Sequence, residues 1–362
     1  MTNQNSKYDA ILLTSFGGPE SQDEVVPFLE RVTAGRGIPA ERLIEVGQHY
    51  IKLGGVSPIN AQNRALLAAM REHFPTRGID LPIYWGNRNS APFFADVLKE
   101  IHADGHRRVL AFVTSAYSSY SGCRQYRENL AAALKESGLE GELEIDKIRQ
   151  YFDLPGFLKP VADDLAQAIR EMSAKLPLGK IRIMFSTHSI PTAMAETSGP
   201  EGLRALTAEV GGTYTAQHLE AATEIAATVA SELGEIPDWE LVYQSRSGSP
   251  QIPWLEPDIN DAIETAKDAG IEGVIVVPIG FISDHVEVIW DLDTQAAETA
   301  ENLGLAYYRV RTAGVAPEFV AGIADLVLER LDGALTSTAP FCAANCCPNP
   351  RVSLPVVAQS GS

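Results

Sequence analysis

GVIVVPIGFI, from Gly273 to Ile282, is the longest apolar run in this sequence. It is too short to cross a bilayer, which takes about 20 apolar residues, and Pro278 interrupts it. Its β-branched residues run on without polar alternation, the signature of a strand covered on both faces, as in a parallel sheet. Seven shorter runs of the same kind occur at Asp9–Thr14, Pro82–Trp85, Arg108–Thr114, Glu142–Ile148, Lys180–Phe185, Trp239–Tyr243 and Leu305–Arg309. Between them lie stretches of helical period: Ser21–Val32, Asn60–His73, Ala91–Asp104, Tyr126–Ser137, Phe157–Ala174, Gln217–Leu233, Pro257–Ala269 and Thr294–Leu303. Strand and helix in alternation predict an α/β protein built from βαβ units, with helices on both faces of parallel sheets.

Eight strands suit one large sheet, a barrel or two doubly wound domains. A length of 362 residues favours two domains. A crossover segment, RQYFDLPGF, marks the expected boundary: residues 1–155 form the first domain and 156–332 the second, whose last helix can return to the first. Residues 333–362 are rich in Ala, Ser, Thr, Pro and Cys, lack helical period, and read as a loose or ligand-ordered tail. No internal repeat is evident. Hydrophobic residues at 45% and charged residues at 21% exclude bulk disorder. With 29 basic and 47 acidic residues the formal charge is −18, which opposes binding to nucleic acid or to anionic lipid. The N-terminal MTNQNSKYDAILLTSFGG has no basic region or cleavage site and turns directly into a strand, so a cytoplasmic protein is expected.

Ligands of open α/β sheets bind beyond the carboxyl ends of the strands. Five of those ends carry polar or aromatic groups: Ser15-Phe16-Gly17-Gly18, Ser115 to Tyr120, Ser186-Thr187-His188-Ser189, Gln244-Ser245-Arg246, and Ser283-Asp284-His285-Val286-Glu287. His188 is a base or metal ligand by its chemistry, the alternative being a loop histidine bonded to backbone. Glu287, Asp291 and Gln295 are spaced by four, so they share a helical face, and a wider π-type turn would align them better. Two carboxylates on one face repel unless they hold a cation or share a proton, the alternative being a solvated acidic face. His285 stands where it can orient Glu287. GGVSPIN, Gly54 to Asn60, offers glycine amides before a helix, but no Walker or GxGxxG loop is present, so a nucleotide is not expected. Cys123, Cys342, Cys346 and Cys347 are the only cysteines; four thiolates suit zinc, copper(I) or an iron–sulfur cluster, and free thiols are the alternative.

The motifs LLTSFGGPE, LGGVSPIN, SAYSSYSGCRQY, FSTHSIP, YQSRSG and GFISDHVEVIWDLD together resemble the ferrochelatase family, from about Tyr8 to Leu331. The resemblance implies two doubly wound domains of similar fold with a porphyrin cleft between them. It implies insertion of ferrous iron into the macrocycle with release of two protons. His188 would act on one face of the porphyrin with Glu287 as its partner, both within reach of Fe2+. Asp291, Gln295 and His285 would continue a path for protons or metal. Gln295 stands where the family often has a third acid. Phe16 would pack on the opposite macrocycle face, and Arg36, Tyr50, Ser57, Tyr120 and Tyr126 would bind the porphyrin and its propionates. Cys123, Cys342, Cys346 and Cys347 would ligate a 2Fe–2S cluster, at a spacing unlike the animal pattern.

The acidic chain, with Arg36 and no hydrophobic lip, fits coproporphyrin III as the substrate in haem synthesis, and with its cysteine-rich tail the chain is similar to the actinobacterial branch. The alternatives are protoporphyrin IX as substrate, a cobalt chelatase, or a non-catalytic tetrapyrrole-binding protein. The expected partners are porphyrin, ferrous iron and, transiently, the neighbouring haem-pathway enzymes, with the protein itself a monomer.

Overall fold

A computed structural model describes residues 7–35, 37, 39–247, 251–332, 343 and 345–358. Its eight strands are β1 (Ala10–Ser15), β2 (Ile83–Asn87), β3 (Arg108–Val113), β4 (Glu144–Lys147), β5 (Ile181–His188), β6 (Trp239–Gln244), β7 (Gly273–Val277) and β8 (Ala306–Arg309). They fall within a few residues of the apolar runs. All pairings are parallel, and they form two four-stranded sheets of order β2-β1-β3-β4 and β6-β5-β7-β8. The second sheet repeats the winding of the first. That repeat lies in topology, and no repeat is visible in the residues.

The first half carries α1 (Gln22–Val32), α2 (Ala40–Lys52), α3 (Ile59–His73), α4 (Phe94–Ala103) and α5 (Gln125–Ser137). After α6 (Pro155–Ser173) come α7 (Thr192–Glu196), α8 (Glu201–Thr207), α9 (Thr213–Leu233), α10 (Ile259–Asp268), α11 (Val286–Val288), α12 (Ala297–Asn302) and α13 (Pro317–Asp332). The expected helix Thr294–Leu303 starts earlier, as π-helix over Ile289–Ala296. Helices α2, α7 and α8 were not expected. α2 buries only Leu43, Gly47 and Tyr50, so its apolar stripe is thin amid charged neighbours.

One apolar core runs between the sheets and includes Ile11, Leu110, Phe112, Phe157, Ile183, Ile275 and Phe319. α13 packs on α6 and reaches back to α3. Each fully buried aliphatic or aromatic side chain on it, such as Phe319, Ile323 and Val327, contributes ~1.5–3 kcal/mol. Polar anchors fix its direction. Arg149 at the end of β4 makes a buried two-pronged pair with Glu329 of α13, at 2.9 and 3.2 Å. Arg330 reaches Asp146 of β4 at 2.6 Å. Removing one partner of such a buried pair strands the other charge, at a cost of about 3–5 kcal/mol.

In each sheet the chain order reverses beside the first strand, between β1 and β3 and between β5 and β7. A crevice opens at such a switch point, outside the carboxyl ends of the strands. Phe16 and Tyr117 follow β1 and β3, His188 ends β5, and Glu287 lies on the helix that the chain reaches after β7.

Candidate functional site

His188 is the last residue of β5. Its Nδ1 lies 2.5 Å from the carbonyl of Ser189. A carbonyl only accepts, so Nδ1 is the donor, and in the neutral ring Nε2 holds the lone pair. That Nε2 faces Oε2 of Glu287 at 3.8 Å, beyond direct hydrogen-bond range, and the two side chains are 32% and 51% exposed. The pair is therefore open to a substrate.

Glu287 rides on α11, whose N-cap is His285: Nδ1 of His285 accepts the Val288 amide at 3.4 Å. Burial and the nearby His188 hold the His285 imidazole below its ordinary pKa, against the pull of Glu287, which keeps it a neutral acceptor. The π-helix follows directly. With i→i+5 hydrogen bonds its turn is wider than 3.6 residues, so steps of four advance along the axis. This carries the line from Glu287 through half-buried Asp291 to exposed Gln295. Burial pushes the Asp291 carboxyl up to about 6, and the Glu287 charge adds to this, although the Ser245 hydroxyl donates to it. Ser245 holds φ at +64°, a left-handed conformation unusual for a residue with a Cβ.

Across the cleft, Phe16 follows β1 and meets Phe28 edge-on, with ring centroids 6.0 Å apart. It packs with Val25, Phe28, Leu29, Tyr50 and Val286. Val286 directly precedes Glu287, so this small core joins the α1–α2 hairpin to the carboxylate-bearing helix. Tyr50 is buried within it, and its phenol is pushed well up by burial and by the charges of Glu287 and Asp291. His49 and Trp290 stack across the same seam with ring centroids 4.3 Å apart, and Lys52 lies 5.2 Å from the indole.

Among the other anchors expected from sequence, Ser57 is buried under the glycine loop, with its amide bonded to Pro19 O at 2.8 Å. Tyr126 is buried beneath Arg88. Tyr120 is drawn toward the tail: its hydroxyl donates to Glu128 at 3.1 Å and accepts from Asn349 at 2.9 Å. Arg36 lies outside the described residues.

Sequence reasoning missed Arg88. Its guanidinium sits between two of the expected porphyrin contacts, 5.4 Å from the Phe16 ring and 4.7 Å from the Tyr126 ring. The signal was present, since Arg88 follows β2 at the same carboxyl edge that supplied the other candidates. Trp254 was also missed; its Nε1 is buried and has no hydrogen-bond partner among the described residues.

The thiols of Cys123, Cys346 and Cys347 form a separate buried cluster. Cys123 sits in a π-turn, Tyr120–Arg124, just before α5. Cys346 Sγ and Cys347 Sγ are 3.6 Å apart, and the Gly199 amide donates to Cys347 Sγ at 3.1 Å. Hydrogen bonding with the other two thiols, together with burial, pushes the Cys347 thiol well up. Among the described residues no three or more His, Cys, Asp or Glu side chains form a ready metal site. Cys342, the fourth expected ligand, lies outside the described residues. The tail is held on both halves: fully buried Arg127 of α5 donates to Val357 O and Ala343 O, and Arg204 of α8 donates to Asn345 O.

Two halves of like winding, with an imidazole and a carboxylate converging where the strand order reverses, define a chelatase-type two-domain protein. A solved structure titled SirB from Bacillus subtilis with Fe3+ shares this fold at TM-score 0.51 and 10% identity, covering 90% of this chain and 97% of that one. The chain belongs to the ferrochelatase family, whose profile it matches over residues 8–331. It is 52% identical to the coproporphyrin III ferrochelatase of Streptomyces coelicolor (99% of this chain, 97% of the relative). It is also 52% identical to that of Leifsonia xyli subsp. xyli (97% and 94%). With a ferrochelatase of Rhodopirellula baltica it shares 47% identity (90% and 86%). Among the described residues, no helix is long and apolar enough to cross a membrane.

Proposed function

We infer that this chain inserts ferrous iron into coproporphyrin III, releasing two protons and yielding coprohaem for haem synthesis. The observation that carries the reading is Nε2 of His188 facing Glu287 across 3.8 Å at the open edge of the cleft. Its support is family membership together with the names of the relatives at about half identity.

The reaction needs two pyrrole N–H protons removed and a hydrated ion stripped of water. Binding energy spent on bending the macrocycle exposes its nitrogen lone pairs. Phe16, backed by Phe28, supplies an apolar wall on one face, and Arg88 between Phe16 and Tyr126 offers a cation to a substrate carboxylate. On the other face Nε2 of His188 accepts the proton, a role suited to an imidazole near neutrality. Glu287 stabilises the resulting imidazolium. Asp291, with its carboxyl pushed up to about 6, is matched to pass a proton outward along the π-helix toward Gln295. Arriving Fe2+ meets the same two donors, His188 and Glu287. We further read the protein as a cytoplasmic monomer that meets the preceding and following pathway enzymes transiently.

The same reading gives the tail a 2Fe–2S cluster held by Cys123, Cys342, Cys346 and Cys347. Of these, Cys123, Cys346 and Cys347 already lie in one buried cluster, with the Cys346 and Cys347 sulfurs 3.6 Å apart. When bound, such a cluster supplies a multi-thiolate cross-link between the tail and the Cys123 turn.

Anaerobic mixing with ferrous iron and coproporphyrin III or protoporphyrin IX, followed by absorbance, tests the function. Multi-turnover loss of the free-base coproporphyrin bands is expected. Preference for protoporphyrin overturns the substrate, turnover only with cobalt points to a cobalt chelatase, and stoichiometric binding without turnover makes the protein a carrier.

A further inference from the structure

Directly behind His188 lies a buried polar group that the reaction scheme does not use. Thr187 and His218 are fully buried and Tyr214 nearly so. Nδ1 of His218 lies 2.8 Å from the Tyr214 carbonyl, and its Nε2 lies 2.8 Å from Thr187 Oγ1. The carbonyl can only accept, so Nδ1 carries the proton and Nε2 takes the Thr187 hydroxyl proton. Burial holds His218 far below its ordinary pKa, at about 3, so the ring stays neutral and this assignment is fixed. The Tyr214 hydroxyl then has one proton and two acceptors at 2.9 Å: Thr187 Oγ1 and the backbone carbonyl of His188.

The group also ties down what surrounds it. The Tyr117 ring, from the first half, stacks on His218 at 3.5 Å and donates its hydroxyl to Ile279 O at 2.9 Å. A Cβ at Gly280 would come within 2.2 Å of Thr187 Oγ1, so the chain leaving β7 toward Glu287 presses directly on the threonine. Next to it, Gln217 clasps Ser118 of the first half through its amide at 2.7 Å and its hydroxyl at 3.0 Å. One buried set thus touches the backbone of His188, the segment that delivers Glu287, and the opposite half of the cleft.

We propose that Tyr214 is a positioning residue for His188: its hydroxyl donates to the His188 carbonyl and fixes with it the adjoining Ser189 carbonyl that Nδ1 of His188 meets, so that Nε2 is aimed at Glu287. The inference rests on His188 acting on the macrocycle.

Tyr214→Phe removes the hydroxyl and keeps the ring. Its kcat for iron insertion falls about tenfold while KM for porphyrin stays within about twofold, as expected when a reacting group is misplaced but substrate contacts are intact. NMR of the ring nitrogens, with His188 assigned by comparison with His188→Ala, shows the tautomer moving from Nδ1–H toward a mixture. Thr187→Ser, which keeps a hydroxyl, stays near wild type. Unchanged His188 nitrogen signals in Tyr214→Phe overturn the proposal, whatever the rates. Shifted signals with unchanged kcat leave the positioning intact and sink the role of His188 instead, which full insertion by His188→Ala would show independently.

Discussion

Nε2 of His188 and Oε2 of Glu287 stand 3.8 Å apart although 99 residues separate them in sequence. The gap suits a proton or a metal ion entering between them better than it suits a direct hydrogen bond. His188→Ala is therefore expected to lower metal insertion by about 10²-fold or more, with porphyrin still bound, as read by fluorescence quenching. Glu287→Gln keeps the shape and removes the charge, and a smaller loss is expected from it. Insertion at the wild-type rate in both variants would remove the pair from the mechanism.

The Asp291 carboxyl, pushed from near 3.8 up to about 6, leaves a mark on stability. A raised folded-state pKa means that the folded protein holds the proton more tightly than the unfolded chain. Its stabilisation is full below about pH 4 and is lost as pH rises through 6. A shift of this size corresponds to roughly 2–3 kcal/mol. Asp291→Asn lacks this loss, so its urea midpoint should gain on that of wild type between pH 4 and pH 7. Parallel curves for the two proteins would show that the carboxyl titrates normally.

Gly17, beside Phe16, holds φ at +78°, and a Cβ there would lie 2.4 Å from Ser90 Oγ and 2.9 Å from Asn87 Cβ. Gly17→Ala thus combines backbone strain with a clash against a buried hydrogen-bonded group, at a cost of ~1–3 kcal/mol for the strain alone. A lowered thermal midpoint and weakened porphyrin binding are both expected. Equal midpoints would mean that the loop relaxes freely.

The thiol cluster makes a spectroscopic prediction. Protein prepared without oxygen should absorb in the visible and contain iron and acid-labile sulfide in equal amounts. Cys123→Ser and Cys346→Ser should be colourless. A colourless wild type that takes up neither iron nor sulfide under reconstitution would leave the three cysteines as packing residues.

The strand pattern was legible because each strand is covered on both faces, so its burial is written as an unbroken apolar run. The carboxyl-edge rule then led from β5 and β7 to His188 and Glu287, which the structure brings together. The π-helix was legible as a spacing, since Glu287, Asp291 and Gln295 step by four. Arg88 has no sequence pattern of its own: its meaning comes from lying between the Phe16 and Tyr126 rings, a relation between distant segments. The repeat of strand order left no trace in the residues, since winding constrains only which positions are apolar. α2 was hidden because its buried face is three residues wide. The path from Tyr214 to His188 is a side chain bonded to a backbone oxygen, and no residue pattern encodes that.

The cover over Cys123 is built from the far end of the polypeptide: Arg127, fully buried, bonds carbonyls of residues 343 and 357. During synthesis, a chain released stepwise from its N-terminus can wind both sheets before that cover exists. A buried arginine and a thiol therefore remain bare until some 200 further residues have been added. That cover therefore closes only after residues 343 and 357 have been made. A protease or a thiol-directed label applied during translation would distinguish finished from unfinished molecules at this one place.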